Sequence, residues 1–240
     1  MYKINEVMRI QDHRLITVPR FEEIPFLYHG FGTSHWKKSH FRKKEEWKDF
    51  RLVYLQQIHS DIIHFMDKIP SHNLKGDGMI TRLPSLFLII QSADCLPVLM
   101  VEEEKKIIAA VHCGWKGTLN RVIEKPVRIL EDGCRCFPSS LLVALGPGIG
   151  QECYQVGEDI RQKFEQKGFS SQLFSPCPQR KGKYLFDLRQ ANVLQLMSLG
   201  VKRKNIHSVD ICTHCHPGFP SFRRDREKAG RMLSFIGMAE

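Results

Sequence analysis

Three residues in this sequence could together hold a metal ion: His59, Cys95 and His112. Cys95 lies in Gln91-Ser92-Ala93-Asp94-Cys95-Leu96-Pro97-Val98, just past the apolar run Leu86 to Ile90. His112 lies in Ala110-Val111-His112-Cys113-Gly114-Trp115-Lys116-Gly117, at the end of the run Ile107 to Val111. His59 lies in Gln56-Gln57-Ile58-His59-Ser60, after Leu52 to Leu55. A catalytic zinc takes three protein ligands and keeps one position open for water or substrate. One thiol and two imidazoles are such a set. Their separations match no local metal motif, so spacing leaves open a core cysteine and two hydrogen-bonded histidines.

The runs that carry these residues are short, β-branched or Leu-rich, and bounded by polar residues. They read as buried strands that deliver the side chains at their ends. Other strands are expected at Leu15–Val18, Phe26–His29, Ile62–Met66, Leu141–Leu145 and Tyr184–Phe186, with Ile206–Ile211 last. Helices are expected over His40 to about Phe50, Gly117–Asp132 (kinked by Pro126), Glu158–Gln166, and from Asp187 as N-cap to Leu199. Strands and helices mix without strict alternation, which gives an α+β fold with mixed sheets. No repeat, low-complexity segment or linker interrupts the chain, so one domain over residues 1–240 is expected.

Lys75-Gly76-Asp77-Gly78 reads as a turn feeding a strand. Asp77 is either a turn residue bonding its own backbone or a carboxylate facing the metal, able to take a proton. Trp115, between Gly114 and Gly117, either stacks on a planar base or packs in the core. His64 reads as a side chain on a polar strand face. Cys134-Arg135-Cys136 with Cys212-Thr213-His214-Cys215 offers a second, structural zinc set, against free thiols as the default.

The chain has 240 residues, 42% of them hydrophobic, enough to bury a sizeable core. No apolar run approaches the roughly 20 residues that span a bilayer. The first residues lack a signal peptide's apolar core, and eight cysteines suit reduced thiols or ligands, so a cytoplasmic protein is expected. The net charge is +10, from 36 Lys and Arg against 26 Asp and Glu. The basic residues are dispersed and no nucleic-acid module accompanies them. A solvated basic surface is the favoured reading, and an anionic substrate or product the second.

Several motifs occur in a telling order. They are Gln57-x-His59, Gly76-Asp77-Gly78…Thr81, Ala93-Asp94-Cys95-x-Pro97 and His112-x-Gly114-Trp115-x-Gly117. Then come Gly146-Pro147-x-Ile149…Tyr154-x-Val156-Gly157, Phe186-Asp187-Leu188 and Arg223-Arg224-Asp225…Gly230-Arg231. From about His29 to Ile236 the chain resembles the laccase-domain family, also called polyphenol oxidoreductases, purine nucleoside phosphorylases or peptidoglycan editing factors. The resemblance implies a layered α/β/β/α fold and a zinc or copper site at His59, Cys95 and His112. It also carries over Arg224 as a substrate contact. Three departures stand out. Ser34-His35-Trp36-Lys37 replaces an Arg and Gly pair suited to anions, leaving Lys37 or Lys38 as point charges. Pro220 replaces an aromatic residue, and Lys116 stands where the family often has Arg.

The expected function is a zinc-dependent enzyme on small-molecule purine nucleosides, with Asp77 and Cys95 as catalytic candidates. It would deaminate adenosine to inosine, or use phosphate to cleave adenosine, inosine or methylthioadenosine. Position 114 is Gly, so the His-x-Glu signature of other zinc deaminases is missing. The alternatives are copper-dependent phenol oxidation, hydrolytic editing of a cell-wall precursor, and non-catalytic nucleic-acid binding.

Overall fold

The structure is a computed structural model, and it describes residues 9–11, 14–72 and 74–240. Among these the chain forms β1 (Arg9–Gln11), β2 (Leu15–Thr17), β3 (Leu27–Gly32), β4 (Arg51–Tyr54) and β5 (Ile63–Met66). Next come β6 (Gly78–Thr81), β7 (Leu86–Ser92), β8 (Leu96–Glu102), β9 (Ile107–Cys113) and β10 (Leu142–Leu145). The last five are β11 (Gln155–Gly157), β12 (Phe174–Pro176), β13 (Lys183–Phe186), β14 (Ile206–Ser208) and β15 (Met232–Met238). The helices are α1 (Pro19–Glu22), α2 (Lys38–Phe41), α3 (Trp115–Leu119), α4 (Glu124–Arg128), α5 (Glu158–Gln166), α6 (Leu188–Ser198) and α7 (Phe222–Asp225).

Two six-stranded sheets dominate. One runs β1-β2-β3-β15-β7-β4, and the other β14-β10-β8-β9-β6-β5. Both are mixed: β4 is parallel to β7, β14 to β10 and β5 to β6, while the remaining neighbours are antiparallel. A third, small sheet runs β11-β13-β12.

Side-chain alternation explains how the large sheets stack. On β7, Leu86, Leu88 and Ile90 enter a core shared with Leu99 and Val101 of β8 and Ile108 and Ala110 of β9. The alternate residues Phe87 and Ile89 face outward, into Trp36, Phe41, Trp47 and Phe235. On β9, Ile107, Ala109 and Val111 face the other way, against Val122, Val127, Leu130 and Leu196. Both faces of each central strand are therefore buried, which is why these strands read as unbroken apolar runs. Each fully buried Leu, Ile or Phe contributes roughly 1.5–3 kcal/mol. The result is an α/β/β/α stack, as the resemblance implies.

Trp36 accounts for one departure. Its ring stacks on Phe235 with centroids 5.9 Å apart, so this segment seals the outer face of the first sheet. Lys38 lies over the Tyr54 ring at 4.2 Å.

Several expected elements differ. Gly117–Asp132 is not one helix: α3 stops, Arg121 takes a left-handed φ of 60°, α4 begins at Glu124, and a π turn (Ile129–Gly133) ends it. Restarting the helix puts Pro126 in a first turn, where its missing N–H costs nothing. His40 to Phe50 is likewise only α2 and a 3₁₀ turn (Glu45–Trp47). β14 ends at Ser208, and the last strand is β15, at the centre of the first sheet. Asp187 caps α6 as expected, accepting from the Gln190 N–H at 2.8 Å.

His29 on β3 is 5% exposed, and its Nε2 accepts the Val18 N–H at 2.8 Å. Burial holds its pKa near 3, against 6.5 when exposed. Between these values the unfolded chain binds the extra proton, so His29 removes stability as the pH falls through 6.5. The loss should be about 2 kcal/mol between pH 7 and pH 5. His29→Gln keeps an acceptor without the titration. Its melting temperature should therefore fall less than that of the wild type over this range. Equal falls in thermal melts would contradict this assignment.

Candidate metal centre

Asp77 opens the turn into β6 and is fully buried. Its Oδ1 accepts from the His59 N–H at 3.0 Å and from His112 Nδ1 at 2.8 Å. Its Oδ2 accepts the Ile58 N–H at 3.2 Å, the Ser60 N–H at 2.6 Å and the Ser60 hydroxyl at 2.7 Å. Burial alone would push this carboxyl up. The His112 and Ser60 hydrogen bonds outweigh it and hold the pKa near 2. An ionised carboxylate holds one proton of His112 on Nδ1, so Nε2 is the nitrogen that could bind a metal once its own proton is released.

The same carboxylate shapes the loop after β4. Three successive N–H groups converge on it, and His59 takes a left-handed φ of 58°. Asp94 does similar work between β7 and β8, with φ 82°. Its carboxylate accepts the Thr213 hydroxyl at 2.8 Å and the Arg223 N–H at 2.6 Å. This bend turns Cys95 out at the end of the strand pair. Its Sγ lies 3.8 Å from His59 Nε2. The His59 and His112 rings stand edge to face, with centroids 4.9 Å apart.

The donor atoms of His59, Cys95 and His112 all lie within 4.8 Å of one another. Gly114 makes room for them. A Cβ there would come within 2.9 Å of both Cys95 Sγ and His59 Cδ2. Burial pushes the Cys95 thiol up, but the His112 charge, with hydrogen bonds from His112 and His59, brings it down to about 6. Burial pushes His112 down, while the Cys95 thiolate and the Asp77 bond raise it to about 9. The residues fit a zinc-type ion: two nitrogens and a stabilised thiolate converge at the end of rigid strands.

The three residues open onto a cavity of about 850 Å³. Its wall includes Gln57, Trp115, Tyr154 and Leu188, and the cations Lys116, Arg180, Lys183, Arg223, Arg226 and Arg231. Trp115 packs against the core and also borders the cavity. Asp77 is absent from the wall, with both oxygens already engaged, so a proton-relay role there has no geometric support. Arg224 is absent too. Its guanidinium donates to the Thr213, His214 and Phe219 carbonyls and pairs with Asp225. The neighbouring Arg223 borders the cavity instead, its guanidinium 5.4 Å from the Tyr154 ring centroid. Lys37 and Lys38 do not reach the wall. The motifs contained Tyr154, Arg223 and Arg231, but their convergence is a tertiary fact. His64, as expected, is no ligand: its Nε2 bonds the Lys75 carbonyl at 2.8 Å.

A match to the family described as multi-copper polyphenol oxidoreductase laccase covers residues 37–239. The chain belongs to this family. A purine nucleoside phosphorylase of Clostridium acetobutylicum is 36% identical over 200 residues, covering 81% of this chain and 80% of that one. An adenosine deaminase from an unknown prokaryotic organism is 32% identical over 163 residues, covering 67% and 61%. The crystal structure of YlmD from Geobacillus stearothermophilus superposes with a TM-score of 0.85 at 25% identity, covering 98% of this chain and all of that one. No helix among the described residues is long and apolar enough to cross a membrane.

Gly114→Ala should weaken zinc binding roughly tenfold or more while the circular dichroism spectrum stays unchanged, because the new methyl displaces Cys95 or His59. Competition with a chromophoric chelator measures this. Wild-type affinity in the variant would show that the close approach at Gly114 is not needed.

Proposed function

We propose that the chain is a metal-dependent purine nucleoside enzyme that uses phosphate to cleave the N-glycosidic bond and water to deaminate adenosine. One observation carries this reading: His59, Cys95 and His112 share a single cavity with Arg223, Arg226, Arg231 and Lys183. A cavity near 850 Å³ suits a nucleoside, and the cations suit an oxyanion beside it. Relatives named for both reactions support the reading.

In this account His59, Cys95 and His112 hold zinc, with copper as the alternative ion. Zinc, when bound, supplies Lewis acidity and makes hydroxide available near neutral pH. The protein's own residues do the rest. Asp77 is a positioning residue that fixes the tautomer of His112 and the backbone of His59. Arg223 and its neighbours neutralise phosphate and hold it against the nucleoside. Trp115 and Tyr154 offer flat faces to the purine and exclude water. In phosphorolysis a phosphate oxygen bonds to the anomeric carbon as the bond to the purine nitrogen breaks, and the base leaves with a proton. In deamination water adds at the purine carbon that bears the amino group, and ammonia leaves.

Copper-dependent phenol oxidation by several coppers finds less support. Among the described residues the metal-capable groups are this one and a cysteine trio, with no histidine-rich cluster.

The test is turnover of adenosine, inosine and methylthioadenosine by zinc-replete protein, with and without phosphate. Free base and a sugar phosphate should appear only with phosphate, and inosine should form from adenosine in either case. Arg223→Ala should raise the KM for phosphate about tenfold or more and leave deamination nearly unchanged. No turnover of any of these nucleosides by metal-replete protein would overturn the reading.

A further inference from the structure

A second group of donors lies outside the cavity wall. The Sγ atoms of Cys153, Cys212 and Cys215 all fall within 4.8 Å of one another. Cys153 Sγ and Cys215 Sγ are 3.1 Å apart. The Gly150 N–H donates to Cys212 Sγ at 3.2 Å, which favours a thiolate there. This is not the set expected from sequence. Cys134 and Cys136 sit after α4, where the Cys136 thiol bonds the Cys134 carbonyl, and neither joins the group.

The trio links two loops. One follows β10, contains Ile149 and Cys153, and leads into Tyr154. The other runs from Cys212 to His216. Backbone bonds already pin them together: the Gly148 N–H donates to the Ile211 carbonyl at 3.3 Å, and the Thr213 N–H to the Gly148 carbonyl at 3.0 Å. Both loops support the cavity. Ile149 and Tyr154 border it, and Thr213 holds Asp94 immediately before Cys95. The Thr213 and His214 carbonyls also anchor Arg224.

We propose that Cys153, Cys212 and Cys215 form a second, structural metal site for a thiophilic ion of the zinc class, which clamps these two loops behind the cavity. Three thiolates are the donor set that zinc and copper(I) select over oxygen-loving cations. Cys215 is exposed, so an ion can enter from solvent. As three sulfur–metal bonds form, each cysteine still in its thiol form gives up its proton to solvent. His214 lies between Cys212 and Cys215 in sequence, with a buried Nδ1 that has no hydrogen-bond partner, but its nitrogens are not among the donors that converge. The site is independent of His59, Cys95 and His112, and of the reaction proposed for them.

Cobalt(II) titration of the reduced, metal-free Cys95→Ala protein tests this, because that variant removes the only thiol of the first centre. Intense thiolate-to-cobalt absorption should rise to about one equivalent and disappear when zinc is added. It should be lost in Cys95→Ala/Cys215→Ser, where an exposed residue is changed and circular dichroism confirms the fold. Zinc purified with Cys95→Ala should likewise fall from about one equivalent to none when Cys215→Ser is added. No thiolate-to-cobalt absorption in Cys95→Ala would overturn the proposal. So would absorption that survives both Cys215→Ser and Cys212→Ser, which would place the ion on other cysteines.

Discussion

The Asp77 carboxylate is the interaction on which the rest of the site depends. It is fully buried, and five hydrogen bonds reach it from two chain segments. A buried charge without partners would cost several kcal/mol. Here it is compensated by donors that are themselves parts of the site. The N–H groups of Ile58, His59 and Ser60 bend the first loop around it. His112 Nδ1 docks on it from the end of β9. One anion thus sets the position of one histidine through its backbone and of the other through its ring.

The sheets supply the rigidity this arrangement needs. β7, β8 and β9 are buried on both faces, so their ends are fixed by packing on either side. Cys95 and His112 sit at the ends of those strands, and His59 in the loop after β4, where the backbone bends. His59 and Asp94 both adopt left-handed conformations, which cost non-glycine residues of order 1 kcal/mol each. Hydrogen bonds to Asp77 and from Thr213 and Arg223 compensate for that strain. Gly114 completes the arrangement by having no Cβ where His59 and Cys95 meet.

Much of this was readable in the sequence, and most of what was missed at the site comes from contacts between residues far apart in the chain. His59, Cys95 and His112 were visible because each follows an apolar run, and the family resemblance joined them. The sequence left Asp77 between a turn residue and a proton-accepting carboxylate, because the partners that engage it lie 17 to 19 residues upstream and 35 downstream. Arg223 and Arg224 cannot be told apart by type. Only the bends around α7 decide which guanidinium meets the cavity and which is used by loop carbonyls. Cys153 was overlooked as a partner of Cys212 and Cys215 because it lies in a different loop. The broken helix at Arg121 and Pro126 shows propensity yielding to local backbone geometry. β15 was not anticipated from the sequence, where Ile206–Ile211 reads as the last strand, although Met232-Leu233-Ser234-Phe235-Ile236 is an apolar run of ordinary strand length.

The measurement that bears most directly on this account is the zinc affinity of Asp77→Asn against wild type, by chelator competition at neutral pH. The substitution keeps the shape and removes the charge without replacing any of the three residues that would hold the metal. If Asp77 builds the centre, affinity should fall about 10- to 100-fold, and nucleoside turnover at limiting zinc should fall with it. Unchanged affinity in a folded variant would contradict the claim that this buried carboxylate assembles His59 and His112 into a metal site.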